Sequence, residues 1–246
     1  MPSIYLSPST QEGNLYVNGG TEEEYMNLIA DAMEPWLRAS GINFTRNTPD
    51  MTAASSIAAS NAGQYDLHLA LHSNAAPEGQ SGTYQGSDVY YYPTSVWGRK
   101  AAEIIAQNLK AIYPRPNLVR ALPTVTIGEV RKTRAPAVLI EFAYHDNEED
   151  ANWIKFHIEP IARNVVLSLT EYFGLPLLDP QPARAGVVDV NWGYLNIRSR
   201  PCLSSAVVAR AYDGARLLLW NQWQNWYVVE FDGILGYASA DYITLV

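Results

Sequence analysis

The chain of 246 residues has little of three features that would each fix its class. Cys202 is its single cysteine, which excludes an internal disulfide and any zinc site built from several cysteines. No apolar run approaches the roughly 20 residues that a membrane-spanning helix needs, so we expect no membrane insertion. Lysine and arginine total 17 against 25 aspartates and glutamates, for a net charge of −8, so no nucleic-acid partner is expected.

The first residues give an expectation about export. Residues 1–6 lack the basic segment and the apolar segment of a signal peptide. We therefore expect either synthesis in the cytoplasm or a leader that has been removed.

The composition changes near residue 178. Residues 177–186 carry two prolines among polar or small residues, a pattern typical of a linker. Strand-like and helix-like patterns alternate before this stretch, whereas only short strand-like runs follow it. We predict a first domain at 1–177, a linker at 178–185 and a second domain at 186–246.

The first domain is predicted to be of the α/β class, with an open, mostly parallel sheet covered by helices on both faces. The predicted strands are 3–6, 42–46, 66–71, 88–92 and 137–142, and the predicted helices are 21–40, 51–62, 96–112 and 151–173. Ligands of such sheets bind beyond the carboxyl ends of the strands, so we expect the functional site there.

Two predicted strands end in side chains that can do chemistry. His72 follows an apolar strand, and Asn74 opens the polar loop after it as a candidate substrate contact. Glu141 closes another apolar strand, where a carboxylate must be paired, hydrogen-bonded or metal-bound to offset its desolvation. The alternative for Glu141 is a structural salt bridge to Arg131 or Arg134.

A third acidic group lies at the start of the first helix. Thr21 and Glu24 have the spacing of a capping box, which gives Glu24 a structural role. Glu22 lies four residues before Met26, at the edge of the apolar stripe, so its side chain can point toward the sheet. Glu22 is therefore the better candidate ligand, with stabilisation of the helix dipole as the alternative.

Three segments together resemble a known family. They read Thr-Glu-Glu-Glu at 21–24, Leu-His-Ser-Asn at 71–74 and Pro-Ala-Val-Leu-Ile-Glu at 136–141. Over about its first 175 residues the chain resembles zinc-dependent N-acetylmuramoyl-L-alanine amidases of the amidase-3 type. Those enzymes cut the amide between the lactyl group of N-acetylmuramic acid and the L-alanine of the peptidoglycan stem. The resemblance implies Zn²⁺ bound by Glu22 and His72, with Glu141 as the catalytic carboxylate.

One ligand of that family is absent from its expected place. The family's first histidine follows strand one in an Asp-Pro-Gly-His-like turn, whereas residues 7–11 read Ser-Pro-Ser-Thr-Gln. Catalytic zinc usually has three protein ligands, so either Gln11 or His145 replaces the histidine, or the site is degenerate. His68 is not expected to share the ion, because four strand residues place it about 13 Å from His72.

The second domain resembles a bacterial SH3 domain. Its short strand-like runs, separated by glycine or aspartate, predict a small all-β barrel. The segments Leu-Asn-Ile-Arg-Ser at 195–199 and Gly-Tyr at 236–237 carry the resemblance, which implies binding of peptidoglycan peptides. Trp223 and Trp226 belong to an aromatic cluster larger than so small a core needs, so they are candidate ligand contacts. Alternatively, these aromatic residues cap the barrel or pack against the first domain.

Three functions follow from the two resemblances. The first is a cell-wall amidase that uses zinc-activated water, such as an autolysin or a phage endolysin, acting on peptidoglycan at the wall. The second is a non-catalytic peptidoglycan-binding protein with a degenerate amidase-like domain, which the missing histidine favours. The third is a zinc peptidase that cuts within the stem peptide.

Overall fold

A six-stranded sheet forms the frame of the first part of the chain in a computed structural model that describes residues 1–246. Its strands are β1 (Ser3–Pro8), β2 (Asn43–Arg46), β3 (Leu67–Asn74), β4 (Ser87–Tyr91), β5 (Val119–Pro123) and β6 (Ala137–Tyr144). Their order is β2-β1-β3-β6-β4-β5. Strands β1 and β6 both run parallel to β3, whereas β4 runs antiparallel to β6 and parallel to β5. The predicted mostly parallel α/β sheet is confirmed, with a reversal at β4.

Six helices accompany this sheet. They are α1 (Glu22–Ala39), α2 (Ala53–Ala62), α3 (Val96–Leu109), α4 (Gly128–Arg131), α5 (Glu148–Phe156) and α6 (Ile158–Phe173). The prediction of one continuous helix over 151–173 was wrong, because the helix is interrupted at His157. Pro160 explains the interruption, since its ring would clash with the carbonyl of Phe156 in a continuous helix and it has no N–H to donate.

The centre of the sheet has one apolar face and one mixed face at β3. Leu67, Leu69 and Leu71 point to one side and are fully buried. His68, Ala70 and His72 share the opposite side, where Ala70 packs in a cluster with Val130 of α4. The strand alternation therefore turns both histidines of β3 toward the face that α4 covers.

Seven further strands form an antiparallel sheet in the last part of the chain. They are β7 (Arg184–Val188), β8 (Tyr194–Arg198), β9 (Val207–Tyr212), β10 (Arg216–Trp223), β11 (Trp226–Phe231), β12 (Ile234–Ser239) and β13 (Ile243–Leu245), in the order β13-β7-β10-β11-β12-β8-β9. Asp232 and Gly233 join β11 to β12 with φ angles of 51° and 75°, as a two-residue hairpin turn requires. The predicted small all-β module is confirmed.

Backbone proximity divides the chain into two units. One consists of residues 3–33 and 44–172, and the other of 1–2, 34–43 and 173–246. The predicted linker at 178–185 remains a prediction. None of the helices combines the length and the apolar character needed to cross a membrane.

Candidate functional site

Four ionisable side chains from four elements meet near the end of β3. Glu22 is the first residue of α1, His72 belongs to β3, Glu129 to α4 and Glu141 to β6. His72 and Glu141 are register partners on neighbouring parallel strands. The structure thus brings together Glu22, His72 and Glu141, which the sequence selected, and adds Glu129, which it did not.

His72 lies between two carboxylates. Its Nδ1 is 2.8 Å from Glu22 Oε1, and its Nε2 is 3.2 Å from Glu129 Oε2. All three side chains are buried. An ionised carboxylate only accepts hydrogen bonds, and a neutral imidazole has a single N–H, so a neutral His72 could donate to only one of the two carboxylates. The contact at the other ring nitrogen requires that the ring bind an additional cation.

A second proton on the ring meets that requirement. Burial lowers the pKa of His72, but the hydrogen bonds to Glu129 and Glu22 outweigh burial and raise the pKa to about 10. Burial raises the pKa of Glu22, whereas its hydrogen bonds, first among them that from His72, bring the pKa below its ordinary value. At neutral pH, His72 is therefore a buried cation held by two anions.

Glu129 connects this group to His68. Its Oε1 accepts from Ser7 Oγ at 2.6 Å and lies 3.2 Å from His68 Nε2, while His68 Nδ1 is 3.0 Å from Ser60 Oγ. Burial raises the pKa of Glu129, but the hydrogen bonds from His68 and His72 dominate and lower the pKa to about 2.

The expectation for His68 needs an addition. His68 and His72 do not contact each other, yet both contact the same carboxylate, because α4 lies against the face of β3 that they share. The sequence pattern does not single out Glu129, because α4 has only four residues, too few to show a helical pattern. The only local signal was an acidic residue shortly before an apolar strand.

Glu141 differs from the other two acids because its Oε2 is buried without any hydrogen-bond partner. The proposed salt bridge to Arg131 or Arg134 does not form, and Arg134 instead contacts Asn61. Burial raises the pKa of Glu141 to about 7, although the nearby charge of His72 acts in the opposite direction. A buried carboxyl group with a free oxygen and a pKa near neutrality can both take up and release a proton.

The two candidates for the missing ligand make no hydrogen bond with Glu22 or His72, although Gln11 lines the same cavity as His72 and Glu129. Gln11 is exposed, and its Oε1 accepts from the Asn14 amide, which also donates to Glu22. His145 is buried, but its Nδ1 lies 3.0 Å from both Ser73 Oγ and the Ser73 carbonyl oxygen. Neither residue is brought against Glu22 and His72, so their proposed metal role remains a prediction.

The donor set does not fit a catalytic zinc ion with three protein ligands. Glu22 Oε1 and His72 Nδ1 supply two suitable atoms, but the structure contains no group of three histidine, cysteine, aspartate or glutamate residues placed to hold a metal. The turn after β1 contributes Ser9, Thr10 and Gln11, whose neutral oxygens are weak zinc donors.

Comparison with known proteins assigns the family. A family model for N-acetylmuramoyl-L-alanine amidase matches residues 8–171, well over half of the chain. The chain belongs to this amidase family. A model for the bacterial SH3 domain matches residues 193–244. No curated protein matches the amidase-family chain in sequence.

Solved amidase structures share its fold. The catalytic domain of CwlV, an N-acetylmuramoyl-L-alanine amidase from Bacillus (Paenibacillus) polymyxa var. colistinus, is 16% identical, with a TM-score of 0.62 over 72% of this chain and 100% of that one. AmiC2 of Nostoc punctiforme is 15% identical, with a TM-score of 0.61 over 70% and 97%. The catalytic domain of the CD27L endolysin targeting Clostridia difficile is 22% identical, with a TM-score of 0.54 over 70% and 98%. At these identities the similarity establishes the fold alone.

The SH3 domain carries a cavity of about 510 Å³ with an aromatic lining. Trp192, Tyr194, Trp226 and Tyr242 line it together with Arg198. Trp223 is 40% exposed but does not line the cavity, and Asn74, in the amidase domain, accepts a bond from the Ala75 amide. The predicted ligand contacts therefore lie at separate places, and their roles remain predictions.

Proposed function

We propose that this amidase-family chain hydrolyses the amide between N-acetylmuramic acid and L-alanine in peptidoglycan. The observation that carries the proposal is the buried, unpartnered Oε2 of Glu141, whose carboxyl group has a pKa of about 7. Family membership supplies the substrate class, and the position of Glu141 beside His72 supplies the proton chemistry. The reaction takes place at the cell wall, where the polymer lies.

In this proposal Glu141 moves the proton. Its ionised Oε2 accepts a proton from water as the oxygen of that water attacks the amide carbon. The protonated carboxyl group then donates to the nitrogen of L-alanine as the carbon–nitrogen bond breaks. Glu141 regains its charge in that donation, and the products are a free amine and a lactyl carboxylic acid, which releases its own proton to solvent.

His72 provides positive charge beside Glu141. The amide oxygen becomes negative when water adds, and a fixed cation in a buried site stabilises that charge more than it would in water. The negative charges of the two carboxylates that flank His72 favour the charged form of its ring. The role proposed for His72 is therefore electrostatic, and Glu22 acts by holding it.

The SH3 domain supplies attachment to the wall in this proposal. Peptides are suitable ligands for its cavity, because aromatic walls cover apolar stem side chains while Arg198 can meet a carboxylate. Replacing Trp226 with alanine should lower the fraction of protein that sediments with purified walls, whereas alanine at Trp97, an exposed residue of the other unit, should not. Equal loss for both variants would count against the cavity.

Purified cell walls test the bond that is cut. The wild-type chain should release free amino groups without new reducing sugar ends, and mass spectrometry should find muramic acid without L-alanine. Muramic acid that still carries L-alanine would instead identify a peptidase acting within the stem. Glu141→Gln should give no release.

Wall binding without hydrolysis is the second candidate function. The incomplete zinc donor set favours it. In this case the wild-type chain sediments with walls as tightly as Glu141→Gln does, and neither releases amines.

A further inference from the structure

Glu129 transfers no proton in the chemistry described above, yet its carboxylate makes three buried contacts. We propose that Glu129 is a positioning residue that fixes the ring of His72 for the reaction. The proposal rests on the proposed hydrolysis for its catalytic consequence. Its structural part, the fixed ring, is independent of whether the chain is active.

Both oxygens of the Glu129 carboxylate are occupied by contacts from β1 and β3. Ser7 and His68 hold Oε1, which leaves Oε2 facing His72 Nε2 at 3.2 Å. The side chain of Glu129 is only 6% exposed, so little solvent can compete for these contacts. The carboxylate can therefore neither rotate nor withdraw without breaking buried hydrogen bonds, which makes it a rigid acceptor.

The backbone that carries Glu129 is itself anchored. Val130, the next residue, packs against Ala70 and Leu139 in the centre of the sheet. Thr133 donates from Oγ1 to the carbonyl oxygen of Glu129 at 2.9 Å. A four-residue helix that would otherwise be marginal is thus held against the face of β3 from which the two histidines project.

The consequence for His72 is a single allowed orientation. Because a carboxylate only accepts, the contact with Glu129 assigns a hydrogen to Nε2 of His72. Nδ1 must then face Glu22, 2.8 Å away on a different element. A ring gripped at both nitrogens cannot flip, so its position beside Glu141 is set before substrate arrives.

Nuclear magnetic resonance of the full-length chain tests the fixed ring directly. In the wild type, the Nε2–H of His72 should appear as a downfield proton that exchanges slowly with water. In Glu129→Gln this proton should exchange at least about tenfold faster or disappear, because one carboxylate oxygen has become an amide group. The kcat on purified walls should fall by at least about tenfold while KM stays within about twofold.

Asp150→Asn is the matched control. Asp150 is likewise a buried carboxylate, but it is not part of the site. It accepts hydrogen bonds from the Tyr113 hydroxyl and from the backbone amides of Gly86 and Tyr144. This variant should lose stability but keep the His72 proton and kcat. An equal effect of both variants on kcat would reduce Glu129 to a structural residue and overturn the proposal.

If Glu129→Gln does not fold, Glu129→Asp provides a second test of the same proposal. Its carboxylate retains the charge but is shorter by one carbon–carbon bond of about 1.5 Å, so the contact with His72 should be lost. An unchanged His72 proton in a folded variant would refute the proposal. The His72 proton is observed without substrate. An inactive wild type would therefore contradict the proposed hydrolysis, whereas the test of the fixed ring could still be carried out.

Discussion

At the scale of single residues, the environment of Glu141 should affect both the stability of the fold and the proposed hydrolysis. The Oε2 of Glu141 is buried without a hydrogen-bond partner, which destabilises the ionised form in the folded state. Such a residue is retained where function needs it, and the same environment gives the carboxyl group its raised pKa. The stability cost of Glu141 and its proposed catalytic use thus have one cause.

Glu141→Gln should therefore remove hydrolysis and increase stability. Loss of a general base lowers the rate by at least about 100-fold. Removing the buried charge at pH 7.5 should raise the free energy of unfolding by about 1 to 3 kcal/mol, measured by urea denaturation. Glu148→Gln, at an exposed position, should change neither quantity. A stabilised variant that still releases amines would remove Glu141 from the mechanism.

Ionisation of Glu141 should affect both the rate of hydrolysis and the stability of the fold as the pH changes. Hydrolysis should increase as the pH rises through about 7, because the base must be ionised. The folded pKa lies above the ordinary 4.5, so the stability due to protonated Glu141 is complete below pH 4.5 and is lost as the pH rises toward 7. Glu129 has the opposite sign, and its contribution is lost as the pH falls from 4.5 to about 2. The Glu141→Gln variant should lack only the stability change between pH 4.5 and 7.

The sequence located part of the site at this scale. Glu22, His72 and Glu141 were selected because each carries charge at the boundary of an apolar element, and the structure brings them together. Glu129 and the role of His68 were not selected, because their partners are distant in sequence and the contact depends on which face α4 covers. Their functional roles await the tests described above.

At the scale of elements, the long apolar strands were predictable from the sequence, whereas the short strand β5 and the short helix α4 were not. Strands β3 and β6 are apolar runs because they are buried on both faces of a parallel sheet. Strand β5 and helix α4 have five and four residues, mixed in character, and lie where no periodicity can develop. The break at His157 comes from backbone sterics at Pro160, which the apolar pattern does not register.

The anchoring of α4 can be tested with Val130→Ala. Removing two buried methyl groups should cost about 1 to 3 kcal/mol of unfolding free energy. It should also lower kcat, because α4 carries Glu129. Val165→Ala in α6 is the matched control, with a similar cost in stability and an unchanged kcat. Equal kcat values in both variants would show that the site tolerates movement of α4.

At the scale of the whole molecule, the change of pattern near residue 178 predicted two modules, and the two family resemblances described them as amidase-like and SH3-like. Turn residues and short strands mark the second module, and alternating strands and helices mark the first. The resemblance implied a bound zinc ion, but the sequence alone did not indicate whether the fold assembles a complete set of donors. Two donors of the expected kind are present, and the third position holds neutral oxygens.

Zinc retention should reflect this incomplete set. After dialysis against a weak chelator, elemental analysis of the untagged wild type should find well below one zinc per chain. Thr10→His, which places an imidazole in the turn after β1, should raise retention toward one, whereas Thr48→His on another loop should not. Stoichiometric zinc in the wild type would show that a donor outside the histidine and carboxylate set completes the site.

The row of bonds from Ser60 through His68, Glu129 and His72 to Glu22 joins side chains of four separate elements. Because each of these side chains contacts the next, a substitution at one position changes the surroundings of its neighbours in the row. Variants changed at one of these positions should therefore be mostly inactive, whereas compensating changes at neighbouring positions of the row should restore part of the loss.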